Sequence, residues 1–209
     1  KRRKLRYGKL PAKTAETIPC KCECTDLVGP YTLKGKDGSV LDFMCLTMIY
    51  PSTARLEIVE LPNAAIKIVR KGENMTKIII DKLSAQISRL FNKQWLSHYP
   101  RAKHIVYDNG SKFKLHFQEL CLEFGLKPKP TTVQNLKANA ILERMYGVLD
   151  NMLGTSGLGM SETVTPKDVE DFIVNVARVI RSTYHTVLKT LPGAATFGRY
   201  MMFNLPFLA

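Results

Sequence analysis

The sequence predicts a mixed α/β fold, a five-stranded sheet flanked by helices. Two observations carry that expectation. Three early segments alternate apolar and polar residues, as half-buried strands do. From residue 75 onward the period changes, and helical stretches alternate with short apolar ones, an order that lays helices over a sheet.

Each element has its own signal. Lys21–Tyr31 alternates as a strand, Lys34-Gly35-Lys36-Asp37-Gly38 is a turn, and Val40–Ile49 is a second strand. Arg55–Leu61 is a third, so the first three strands form an antiparallel meander. Over 75–97, Met75, Ile79, Leu83, Ile87, Leu90, Phe91 and Trp95 recur at helical spacing, and Pro100 ends that helix. His104–Tyr107 is a short strand and Lys112–Phe124 a helix closed by Gly125. Leu126–Pro130 is one more short strand. Helices follow over 134–153 and 165–188, the second opened by Thr165-Pro166. Gly154, Gly157 and Gly159 follow a helix and lack the Lys-Ser/Thr of a phosphate loop, so they read as a connector.

Composition narrows the function. The chain has 209 residues, 45% hydrophobic and 23% charged, which suits one sizeable core. Its net charge of +13 points to a polyanion, nucleic acid before an anionic membrane. No apolar run is long enough for a membrane span, and the partner expected is DNA rather than membrane. Five cysteines without a secretory signal fit a reducing, intracellular setting, nuclear or cytoplasmic. Cys20, Cys22 and Cys24 alternate and would share one strand face. The four histidines show no zinc spacing, so these cysteines read as strand residues rather than metal ligands. The chain starts at Lys1 rather than Met, as a piece of something longer would.

Residues 1–13 hold seven Lys/Arg and no acid. Lys1, Arg2, Arg3, Lys4 and Arg6 are candidate phosphate contacts, with a localisation signal or a solvated terminus as the other readings.

VYDNGSKF, residues 106–113, poses the central question. Asp-Asn-Gly is a strong hairpin signal. A helix follows it here, not a partner strand. Asp108 therefore falls at the carboxyl end of a strand feeding a helix, where open α/β sheets place ligands. Two-metal phosphoryl chemistry needs several carboxylates converging on hard cations. Asp26, on an apolar strand before the breaker Gly29-Pro30, and Glu143, among Ile141, Leu142, Met145 and Leu149, are the candidate partners. Each also has a plain surface reading, Glu143 as a partner of Arg144 or Lys137.

CTDLVGPY, VYDNGSKF and TTVQNLKANAILERMYGVLDNML together resemble the catalytic core of retroviral-type integrases from LTR retrotransposons, the D,D(35)E group. The resemblance covers nearly the whole chain. Asn135 and Glu143 keep the family's spacing, and 34 residues separate Asp108 from Glu143, one short of the usual count. The ending LPGAATFGRYMMF resembles the segment closing the family's core. Leu136 and Lys137 replace the common Pro and Gln, Tyr146 stands where many members have Asn or His, and the long gap from Asp26 to Asp108 fits an insertion near Lys71–Lys77.

The resemblance implies an RNase H-like fold and metal-dependent 3′-end processing followed by DNA strand transfer. It divides the chain into a basic arm and linker over 1–19, after a zinc finger not in this sequence, a core over 20–153 and a helical extension over 154–209. It implies two Mg²⁺ or Mn²⁺ ions held by Asp26, Asp108 and Glu143, with element ends and target DNA as substrates and a homo-oligomer as the assembly. Lys112 and Lys114 would contact phosphates from the first turns of the helix after Asp108, and Ser111 would cap it. Asn135, Lys137 and Asn139 would approach the DNA end. Two alternatives stay open: an RNase H-type nuclease, for which Asp81 or Glu73 would supply the first-helix acid, and a catalytically inactive DNA-binding or assembly module.

Overall fold

The computed structural model describes residues 17–62, 77–131, 140–158 and 161–199. The basic arm, the segment around Lys71–Lys77, and Asn135, Lys137 and Asn139 lie outside them.

Five strands form one sheet in the order β3-β2-β1-β4-β5: β1 (Cys22–Lys34), β2 (Val40–Tyr50), β3 (Arg55–Glu60), β4 (His104–Asp108) and β5 (Lys127–Thr131). The meander is antiparallel, whereas β4 and β5 run parallel to β1. The strand β2 lies inside the sheet and is buried on both faces, which is why VLDFMCLTMIY is almost continuously apolar.

The edge strand β5 explains KPKPT. Lys127 N–H donates to the Lys103 carbonyl, so by the two-residue period the backbone positions of Pro128 and Pro130 face outward. Proline has no N–H to lose there, and it closes the edge to further pairing.

Helices α1 (Lys77–Phe91) and α2 (His116–Glu123) cover one face, where Leu83, Ile87, Phe91, Phe117 and Cys121 pack on Leu27, Leu46, Met48, Ile105 and Tyr107. Helices α3 (Ala140–Thr155) and α4 (Pro166–Ser182) cover the other, where Leu142, Leu149, Val169, Ile173 and Val176 meet Cys24, Val28, Phe43, Cys45 and Ile49. A short α5 (Pro192–Phe197) packs beside β3. Thr165 opens α4 with the expected cap, its hydroxyl accepting from Asp168 N–H while the Asp168 carboxylate accepts from Thr165 N–H.

Several boundaries differ from the sequence reading. The first long helix leaves α geometry at Asn92 and finishes as a π turn to Leu96. Gly29-Pro30 does not end β1. The pair forms a cis peptide at a bulge between Val28 and Tyr31, and the strand runs on to Lys34. Gly29, at φ +101°, is needed because a Cβ would stand 3.1 Å from the Phe43 carbonyl. Helix α4 stops at Ser182, where the Ser182 and Thr183 hydroxyls bond back to the Arg178 and Val179 carbonyls and Thr183 turns extended. Cys20 lies before β1 at φ +57° and packs on the α1 face, whereas Cys24 packs under α3 and α4. The three alternating cysteines therefore do not share a face.

Candidate functional site

Asp26 sits mid-strand on β1 opposite Thr47, and Asp108 is the last residue of the neighbouring β4. Both belong to the face covered by α3, since Cys24 and Val106, two residues before each, pack in the α3–α4 core.

One cation joins them. Lys112 Nζ lies 3.6 Å from Asp26 Oδ1 and 3.8 Å from Asp108 Oδ2. The two oxygens are therefore less than about 8 Å apart, near enough to share a pair of metal ions. Local backbone makes this reach possible. After Asp108 the chain turns through Gly110, takes a single 3-10 turn over Ser111–Phe113, and begins α2 only at His116. Gly110 has φ −66°, so no left-handed turn requires it. The backbone instead passes close to the acid: a Cβ at Gly110 would sit 3.0 Å from Asp108 Oδ2. The Asp-Asn-Gly hairpin reading is thereby replaced by close passage of the backbone beside a carboxylate.

The same geometry corrects two expectations. Ser111 caps no helix, because Gly110 and Leu115 occupy the cap positions and neither is capped by a side chain. Lys114 is not on a first helical turn beside Asp108. It joins the 3-10 turn to α2, and its carbonyl accepts from Ser84 of α1, on the opposite side of the sheet. Of the two lysines only Lys112 reaches the carboxylates.

Asp26 is the more enclosed acid, with 17% of its side chain exposed against 46% for Asp108. Burial pushes its carboxyl above the ordinary value and the Asp108 charge adds to this, while Lys112, the Leu27 N–H and the Tyr146 hydroxyl oppose it. Leu27 N–H donates to Asp26 Oδ1 at 2.8 Å. Thr47 Oγ1 donates to the Asp26 carbonyl at 3.0 Å and lies 3.1 Å from the Tyr146 hydroxyl. Burial and the Asp26 charge push the Tyr146 phenol up, so it stays a neutral donor. Thr47 has spent its proton on the carbonyl, which leaves the Tyr146 proton for Thr47 Oγ1 or the Asp26 carboxylate. The sequence reading noted Tyr146 as a departure and missed Thr47; its register opposite Asp26 is visible only once β1 and β2 pair.

Glu143 lies on α3, the helix that packs on β1, with its side chain outside the described residues. Tyr31 donates to Asp150 at 2.7 Å and fixes α3 to β1 a turn or two further along. Among the described residues no three His, Cys, Asp or Glu side chains form a metal-holding group. What they form is a two-carboxylate half-site that already holds the Lys112 ammonium. The donor set is all oxygen, which suits Mg²⁺ or Mn²⁺. Asp81, the acid an RNase H-type nuclease would need, is on α1 across the sheet and pairs with His116 at 3.1 Å. Glu73 lies outside the described residues.

The sequence matches no family model, and no curated protein matches it. Solved structures do match. The HTLV-2 integrase catalytic core domain, in complex with magnesium, aligns with a TM-score of 0.58 over 86% of this chain and 97% of its own, at 14% identity. The BIV integrase catalytic core domain gives 0.56 over 86% and 95%, also at 14%. A chain of the simian T-cell lymphotropic virus intasome, in complex with a PP2A regulatory subunit, gives 0.59 at 12% identity over 92% of this chain. This chain spans 59% of that one's length. The protein has the RNase H-like fold of retroviral integrase catalytic cores.

Proposed function

We propose that the chain is the catalytic core of an LTR-retrotransposon integrase, a two-metal polynucleotidyl transferase acting in the nucleus or cytoplasm. The observation that carries the reading is the convergence on one cation of Asp26, within β1, and Asp108, at the carboxyl end of the adjacent parallel strand β4. Asp26 and Asp108, with Glu143 from α3, would hold the ions. When bound, two such ions lower the pKa of a nucleophilic oxygen and neutralise the leaving one.

The chain's own residues do the rest. Thr47 fixes the Asp26 main chain, while Leu27 N–H and Tyr146 orient its carboxylate. Lys112 balances the carboxylate pair, and with ions held there its ammonium would be free for a DNA phosphate. Water would break a phosphodiester near each element end and free a 3′-hydroxyl. That hydroxyl would attack a target phosphate and expel its 3′ oxygen. The arm 1–19, with Asn135, Lys137 and Asn139, would guide DNA to a core over 20–153 extended by 154–209, in a homo-oligomer.

The Lys112 pairing also favours a second reading, a DNA-binding module whose carboxylates are permanently neutralised. A Mn²⁺-dependent strand-transfer or disintegration assay separates the two. Joined product supports the integrase; salt-sensitive DNA binding with no product at any Mn²⁺ concentration supports the module.

A further inference from the structure

The face that carries the carboxylates continues along β4 onto the edge strand β5. His104 pairs in register with Lys127, Val106 with Lys129 and Asp108 with Thr131, so Lys127 and Lys129 project on the same side as Asp108. At about 3.3 Å per residue, Lys129 stands one side-chain step, about 7 Å, along the sheet from Asp108, and Lys127 about 13 Å. Lys103 precedes β4, bound to β5 through the Lys127 N–H, and its own N–H bonds the Lys21 carbonyl.

Four ammonium-bearing residues thus surround His104. Burial, then the charges of Lys129, Lys103, Lys127 and Lys21, hold that imidazole below its ordinary value. Lys103, Lys127 and Lys129 are exposed, and none forms an ion pair among the described residues. Glu23, the acid nearest Lys21 in sequence, is fully buried on the other face, Glu123 lies four residues before Lys127 on α2, and Asp108 closes the row on its own face. Edge protection does not account for the cluster, because Pro128 and Pro130 already close this edge. Lys103, Lys127 and Lys129, gathered with no ion pair among the described residues, cost free energy in the isolated protein and return it when a polyanion arrives.

We propose that Lys103, Lys127 and Lys129 form a DNA-backbone surface that runs from the carboxylate pair along β5 and holds a duplex without reading its sequence. It rests on the integrase reading for its purpose, though not for its existence. Duplex DNA carries one charge per about 3.4 Å of each strand, so the step of about 7 Å from Lys129 to Lys127 spans about two consecutive phosphates.

The test measures binding of a random-sequence DNA duplex by the whole chain, without metal, across a salt series. The parent is compared with Lys103→Gln/Lys127→Gln/Lys129→Gln and with Lys127→Gln/Lys129→Gln, each checked by thermal melting. Loss of three phosphate contacts should flatten the slope of log K against log salt by about 2–3, and loss of two by about 2. Folded variants with the parent's slope overturn the proposal. So does loss confined to phosphatidylserine vesicles or to single-stranded RNA, which would identify a membrane or RNA surface instead. Strand transfer is scored separately. An inactive parent whose slope still falls sinks only the catalytic reading, whereas an active parent with unchanged slopes in the variants sinks only this surface.

Discussion

Lys112 lies 3.6 Å and 3.8 Å from the two acids, where the proposed mechanism would place a divalent ion. An ammonium there stabilises the protein by offsetting the repulsion between Asp26 and Asp108, and it would compete with a metal for them. Lys112→Gln should therefore lower the Mn²⁺ concentration that gives half-maximal activity several-fold. A midpoint that is unchanged or raised, measured at saturating DNA, would contradict this role. Glu23 is the other acid out of place. It is fully buried, and neither of its oxygens nor Trp95 Nε1 reaches hydrogen-bonding geometry. Burial pushes its carboxyl well above the usual range, with the Trp95 indole opposing only part of the effect. The folded state thus holds the proton more tightly than the unfolded chain. The stability this gives is complete below the free carboxyl value and is lost as pH rises through the raised one. Glu23→Gln should melt higher than the parent at neutral and alkaline pH and flatten the decline. Melting curves from pH 5 to 9 that stay parallel would refute it.

At the scale of elements, α4 owes its start to the reciprocal Thr165–Asp168 cap and its seat to Val169, Ile173 and Val176. Thr165→Ala removes the hydroxyl acceptor for Asp168 N–H and should cost about 1 kcal/mol, a fall in Tm of about 2–4 °C for a domain this size. A Tm unchanged within error would mean the cap is redundant. A polar network ties β3 to α4: Glu57 Oε1 accepts from Arg55 at 3.1 Å, from Arg181 at 2.9 Å and from the Tyr99 hydroxyl. That helix start was legible in Thr165-Pro166, as were the three meander strands, because local pattern dictates them. Lys112–Phe124 was not. Its periodicity is helical, yet Leu115 at φ +55° breaks it into a 3-10 turn and the later α2. The carboxylate pair was legible as a motif. Thr47 and the bridging reach of Lys112 depend on strand pairing and on the turn after Asp108, which no local pattern encodes.

Across the whole molecule, charge and fold separate two tasks. The sheet brings two acids together at one place, in a chain of net charge +13 whose residues 1–13 hold seven Lys/Arg. If that arm tracks phosphates, deleting residues 1–13 should flatten the salt slope of DNA binding by up to about 6, the value for seven contacts. An unchanged slope would make the arm a tether. The acids carry the central claim, and Asp108→Asn isolates it. The substitution keeps shape, removes one ligand charge and relieves repulsion against Asp26, so Tm should equal or exceed the parent's and DNA affinity should hold. The most direct measurement is Mn²⁺-dependent strand transfer by an active parent and its Asp108→Asn variant, side by side. The account predicts joined product from the parent and none from the variant; equal transfer by both would show that Asp108 holds no metal and that the proposed chemistry is wrong.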